Sequence, residues 1–234
     1  MRKYLGGILT AVAMFSAHAA QFHDDMAQRT LACTICHGKE GRAGPDGYYP
    51  RIAGKPAGYL YNQLLNFRDG RRHYGLMARL LDTLADAYLL EIAQHFASLD
   101  LPYAAPPPPQ VAGAVLQRGQ LLAREGDAAA KIPACVRCHG PALTGVVPAT
   151  PGLLGLSRDY LNSQLGAWRT GQRKAHAPDC MAQIARQLTP QDLTAVAAWL
   201  AAQPLPMDAH PAQALPKPPG IACGSAILPA RTTP

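Results

Sequence analysis

The sequence predicts an all-α protein built from two small tandem domains, and three observations carry that prediction. A block of roughly 100 residues occurs twice. The matched stretches have helical spacing, and no segment alternates polar and apolar residues as a half-buried strand would.

The repeat comes first because it sets the domain count. Cys33-Thr34-Ile35-Cys36-His37-Gly38 recurs as Cys135-Val136-Arg137-Cys138-His139-Gly140, 102 residues later. Tyr59, Leu60, Gln63, Leu64, Phe67, Arg68, Gly70 and Arg72 are matched by Tyr160, Leu161, Gln164, Leu165, Trp168, Arg169, Gly171 and Arg173 at an offset of 101. Leu89, Ile92, Ala93 and Phe96 are matched by Leu193, Val196, Ala197 and Leu200 at an offset of 104. The drift in offset places short insertions in loops. The last set falls at i, i+3, i+4 and i+7, one apolar face of a helix. In the second copy that helix has a start signal: Thr189 as N-cap, Pro190 at the first helical position and Asp192 in the first turn. The first copy has Ala85 where the cap would stand.

The remaining segments follow in chain order. Residues 1–19 read as a signal peptide: Arg2 and Lys3, an apolar stretch from Leu5 to Ser16, then the small-x-small pattern Ala17-His18-Ala19. The apolar stretch is short of the ~20 residues that span a bilayer, so cleavage after Ala19 is expected, with no membrane anchor left. Residues 20–100 form the first domain and 113–205 the second. Between them, 101–112 is a Pro-rich linker with four successive prolines at 106–109. Residues 206–234 are a Pro/Ala-rich tail.

Composition narrows the function. The chain is rich in Ala, Gly and Pro and only 6% aromatic, so its cores are short of large side chains and a buried cofactor would fill them. Residues 113–205 carry nine basic and five acidic side chains, against nine of each in 21–100. That excess suits an acidic partner. The basic residues are not interleaved with aromatics on one element, so nucleic acid is not expected as a partner.

The repeated motif carries the chemistry. Cys-x-x-Cys-His attaches c-type haem: two thiols add to the porphyrin vinyl groups and the histidine binds iron. A redox dithiol or half a zinc site would use one such motif, but two copies a domain-length apart in an exported chain point to two covalently bound haem c groups. Cys33, Cys36 and His37 would hold the first, and Cys135, Cys138 and His139 the second. Met77 lies 40 residues after His37 and Met181 lies 42 after His139, each between the two matched stretches, on the loop expected to cross the far face of the haem. Met26 and Met207 have no such placement and read as fillers. Pro50 and Pro151 follow the two histidines by 13 and 12 residues, placed for a carbonyl to accept the other imidazole N–H.

In this order the residues resemble the dihaem cytochrome c4 family. The pattern runs from Cys-x-x-Cys-His-Gly through Tyr49-Pro50-Arg51-Ile52-Ala53-Gly54, Tyr59-Leu60, Gln63-Leu64 and Met77 to a closing amphipathic helix. It repeats through Pro151, Leu154-Gly155, Tyr160-Leu161, Gln164-Leu165 and Met181. The resemblance covers about residues 25–203 and implies two tandem cytochrome c-type domains in a pseudo-symmetric pair. It also implies a periplasmic electron carrier serving a membrane terminal oxidase or respiratory complex, or a dehydrogenase. Met77 and Met181 would be the sixth iron ligands. The tail departs from the family pattern and holds Cys223. Cys180, directly before Met181, is the other cysteine not spent on haem. A Cys180–Cys223 disulfide is expected in an oxidising compartment. Ligation of iron by Cys180, or by His23, His73, His95, His176 or His210, is the alternative. The competing function is a cytochrome subunit of a sulfur-compound or alcohol dehydrogenase, or a dihaem peroxidase, which needs an open iron position.

Overall fold

A computed structural model describes residues 24–44 and 46–226. The expected signal peptide and the end of the tail, 227–234, lie outside the described residues. Ten helices run through the described chain: α1 (Met26–Arg29), α2 (Leu31–His37), α3 (Ala57–Arg68), α4 (Gly75–Leu81), α5 (Asp86–Ser98), α6 (Gly113–Arg124), α7 (Val136–His139), α8 (Arg158–Thr170), α9 (Cys180–Gln187) and α10 (Pro190–Ala202). Four two-residue strands add small antiparallel ladders to the second half. Gly126–Asp127 (β1) pairs with Ile132–Pro133 (β2), and Gly145–Val146 (β3) with Thr150–Pro151 (β4). Strands this short leave no alternation for a sequence to display.

The helices end where their residues dictate. α10 starts with a reciprocal capping box, in which the Thr189 hydroxyl accepts the Asp192 N–H while the Asp192 carboxylate accepts the Thr189 N–H. α5 has Ala85 at its N-cap position and so no side-chain cap. α8 is capped by Ser157, which accepts from the Tyr160 N–H, and stops at Gly171 in the left-handed region.

The apolar faces close two separate cores. In the first half Leu60, Leu65, Leu89, Ile92, Ala93 and Phe96 join α3 to α5. In the second, Leu122, Leu143, Leu161, Val196, Ala197 and Leu200 join α6, α8 and α10. The α6–α10 crossing is close because Gly119 has no side chain. A Cβ there would lie 2.2 Å from the Ala195 carbonyl oxygen. Arg118 clamps the crossing, its guanidinium 2.7 Å from Asp192 and 2.9 Å from Asp127.

Linker and tail are both fastened down. Arg51 donates to the carbonyls of Leu101 and Pro102 while its guanidinium lies 3.8 Å from the centre of the Tyr103 ring. Beyond α10 the tail turns back over the second half. Ala212 exchanges backbone hydrogen bonds with Gly145 and Val147, and the Gly224 N–H donates to the Pro178 carbonyl. A disulfide joins Cys180 to Cys223 across a sequence separation of 43. In the chain-entropy account a loop of this length adds about 4 kcal/mol. The thiol proposed above as an alternative iron ligand is thereby engaged. Among the described residues no helix is long and apolar enough to cross a membrane.

Gly119→Ala should push α6 off α10 and cost about 1–3 kcal/mol, as overpacked cores do. Urea unfolding of the holoprotein measures it, with the loss expected in the second half.

Candidate functional site

The two cysteine–histidine motifs occupy matching places. α2 carries Cys33, Cys36 and His37. In the second half Cys135 caps α7, which carries Cys138 and His139. Each histidine directs Nδ1 at a proline carbonyl 2.8 Å away, His37 at Pro50 and His139 at Pro151. A carbonyl oxygen only accepts, so each Nδ1 carries the proton and each Nε2 keeps a free lone pair. Burial pushes both imidazoles below their ordinary pKa, against the opposing pull of the proline carbonyl. The thiols move the other way. Burial raises Cys33 and Cys138, and takes Cys135 to about 11. Neutral thiols are poor metal ligands. No group of three or more His, Cys, Asp or Glu side chains converges among the described residues.

Both motifs open into one cavity of about 760 Å³ that runs through the two halves. Met77 and Met181 line it, as do all four cysteines, both histidines, Pro50 and Pro151. The methionines sit in the first turns of α4 and α9, not on the loop that their spacing suggested. α9 owes its start to Asp179, whose carboxylate accepts from the N–H groups of Ala182 at 3.0 Å and Ala175 at 2.7 Å.

The cavity walls differ between the halves. Tyr48, Tyr49 and Tyr74 form an edge-to-face cluster beside His37, with the Tyr49 and Tyr74 hydroxyls 3.1 Å apart. At the corresponding places the second half has Ala149, Thr150 and Ala175, and residues of the tail complete its lining.

Between the halves lies a polar network with near two-fold symmetry. Arg72 donates to Gln63 at 2.9 Å in its own half and to Gln164 at 2.6 Å in the other. Arg173 donates to Gln164 and to Gln63, both at 2.9 Å. Both arginines are buried, as is Lys55, whose ammonium reaches the Gly152 carbonyl at 3.4 Å. Burial, then the nearby charge of Arg51, lowers Lys55 to about 8. None of these three cations has a carboxylate partner among the described residues, and all three line the cavity. Trp168 adds a buried indole N–H with no acceptor at the same wall. Buried cations and orphan donors facing an apolar cavity call for a large apolar guest that bears carboxylates. A haem, with its two propionates, meets that requirement, and the paired thiols and oriented histidines match its vinyl groups and iron.

Of the other histidine candidates, His73 lines the cavity, with its backbone N–H donating to the Gln172 carbonyl, and the remaining described ones do not line it. His210 is exposed and lies 2.8 Å from Asp208. His95 meets the Phe96 ring edge-to-face, and His23 lies outside the described residues. His176 has a buried Nε2 without a partner, but its counterpart position in the first half holds no histidine. The tyrosine cluster and the contribution of the tail had no signal in the repeat. The Arg–Gln network did, as polar residues kept in both copies at identical spacing.

Gln164→Ala would take an acceptor from both buried guanidinium groups. Hydrogen bonds to charged groups are worth about 1.5–3 kcal/mol, so the unfolding midpoint in urea should fall by that order while haem content stays at two per chain.

Comparison with known proteins places these features. The family model for cytochrome c matches residues 117–203. The thiosulfate dehydrogenase electron acceptor of Thiomonas intermedia is 37% identical over 205 residues, covering 88% of this chain and 93% of that protein. Cytochrome c4 of Pseudomonas aeruginosa is 32% identical over 203 residues, covering 86% and 98%. Among solved structures, the thiosulfate dehydrogenase (TsdBA) of Marichromatium purpuratum superposes with a TM-score of 0.68 at 32% identity, over 76% of this chain. This chain spans only 40% of that one. The duplicated fold and the near-complete match to cytochrome c4 together make this chain a member of the dihaem cytochrome c4 family, an electron carrier with two covalently bound haem c groups.

Proposed function

We propose that Cys33 and Cys36 attach the first haem, with His37 and Met77 as its axial ligands, and that Cys135, Cys138, His139 and Met181 do the same for the second. The observation that carries this assignment is the pair of matching histidine–proline contacts, both at the cavity that Met77 and Met181 also line. Residues 20–100 and 113–205 are then the two haem domains. The bound haem supplies a one-electron iron couple. Pro50 and Pro151 hold the imidazole N–H, which fixes ring orientation and raises the basicity of the ligating nitrogen. The thioethers of Met77 and Met181 favour the reduced state and so raise the potential. With both axial places filled by the protein, a small substrate finds no position to bind, and the chain works as a carrier.

The partner on the donor side is a dehydrogenase that oxidises thiosulfate. Support comes from the relatives in Thiomonas intermedia and Stutzerimonas stutzeri, both named as electron acceptors of thiosulfate dehydrogenase, and from the matched TsdBA structure. Electrons leave to a membrane terminal oxidase or another respiratory complex. The signal-like N-terminus supports a periplasmic site for this exchange. Docking is brief and the contact small. The basic excess of residues 113–205 steers an acidic partner toward it.

Met77→Ala and Met181→Ala should each remove part of the far-red sulfur-to-iron absorption of the oxidised protein and lower one of its two potentials. An unchanged spectrum in either variant contradicts that ligand. Mixed with a thiosulfate dehydrogenase and thiosulfate, the oxidised protein should be reduced rapidly, and more slowly as salt screens the charges. The pure protein should turn over neither thiosulfate nor peroxide. Rapid turnover by the protein alone would make it an enzyme.

A further inference from the structure

The second haem site is walled by a segment the first site lacks. Where the first half has Tyr48, Tyr49 and Tyr74, the repeat supplies the smaller Ala149, Thr150 and Ala175. Leu215, Pro219, Ile221 and Cys223 of the tail line the cavity instead. The offset between the copies grows from 101 at Arg173 to 104 at Met181, so the loop before Met181 is longer by three residues. That loop is where the tail is tied. The Gly224 N–H donates to the Pro178 carbonyl at 3.0 Å, and a Cβ on Gly224 would lie 2.2 Å from the Ala177 carbonyl oxygen. The Cys180–Cys223 disulfide closes the tie one residue before Met181. Beyond it, the Ser225 carbonyl accepts from Asn62 Nδ2 in the first half. α9 accordingly buries Cys180, Ala182 and Ala185, whereas α4, which carries Met77, buries Leu81 alone.

We propose that residues 206–226, latched by the Cys180–Cys223 disulfide, are a positioning strap that holds Met181 on the second iron and keeps external ligands out. This rests on Met77 and Met181 being axial ligands. The physical reason is local. For an external ligand to reach the iron, the methionine must swing away, and α9 with its preceding loop must give. The strap pins the end of that loop: the disulfide fixes Cys180 at the start of α9, and the Pro178 hydrogen bond and the close fit of Gly224 against Ala177 fix the residues just before it. Among the described residues Met77 has no such fastening, so its thioether is the freer of the two. The two irons thus differ in ligand exchange while sharing the same donor set.

The test uses the oxidised holoprotein mixed with imidazole, followed by loss of the far-red sulfur-to-iron absorption. The wild type should show two phases of similar amplitude, the slow one at least tenfold slower. Met77→Ala should keep the slow phase only. Replacing both cysteines, Cys180→Ser with Cys223→Ser, leaves no thiol beside Met181 and should speed the slow phase at least tenfold without changing the fast one. Gly224→Ala keeps the disulfide, forces the strap off Ala177 and should speed the same phase. Equal rates at both sites in the wild type, or a slow phase indifferent to both variants at full haem content, would overturn the strap. A Met77→Ala protein with no far-red absorption at all would overturn the ligand assignment of Met181 and the strap with it.

Discussion

An imidazole that serves iron with one nitrogen must have the other held, and the rest of this protein is arranged around that requirement. In the proposed ligation the motif alone would bring His37 and His139 to a haem but would leave each ring free to rotate and to change tautomer. The carbonyls of Pro50 and Pro151, each 2.8 Å from Nδ1, remove both freedoms. A proline is suited to the place because its fixed φ restrains the carbonyl-bearing turn and it brings no N–H of its own to compete. In the second half the β3–β4 ladder secures that turn, with Gly145 paired to Pro151. Among the described residues the first half has no such ladder. There Ile52 and Ala53 donate to the Gly41 carbonyl.

The second constraint is electrostatic. Arg72, Arg173 and Lys55 are buried at or near the junction of the halves with neutral acceptors only. Buried cations left this way are costly, and removing one partner from such a network usually costs more than the network contributes. Carboxylates of a bound haem would offset that cost, and would couple the docking of the halves to cofactor insertion. The sharing of Gln63 and Gln164 between the two guanidinium groups also makes the junction a single unit. Neither arginine is satisfied by its own half alone.

Much of this was legible in the sequence because duplication acts as an internal comparison. Cys33, Cys36, His37, Pro50 and Met77 recur at nearly fixed offsets, and only residues under the same physical demand do so after the surfaces diverge. The helical spacing of Leu89, Ile92, Ala93 and Phe96 gave α5 directly, and Thr189, Pro190 and Asp192 gave the start of α10. What the repeat could not reveal is whatever the two halves do differently. The tyrosine cluster has no partner in the second copy, and the tail has none in the first. Its role in lining the cavity depends on chain reversal after α10, which no local periodicity records. The short helices under Met77 and Met181 look like loop in the sequence, since seven or eight residues with few apolar repeats carry little helical signal.

The measurement closest to the central claim is a spectroelectrochemical titration of the purified holoprotein. Two covalently bound haems with His/Met ligation should give two one-electron waves of equal amplitude per chain, with both irons low-spin in either redox state. A high-spin iron in the oxidised protein, or one wave at markedly lower potential with only half the far-red sulfur-to-iron absorption, would mean that one site lacks its methionine, and would contradict the account.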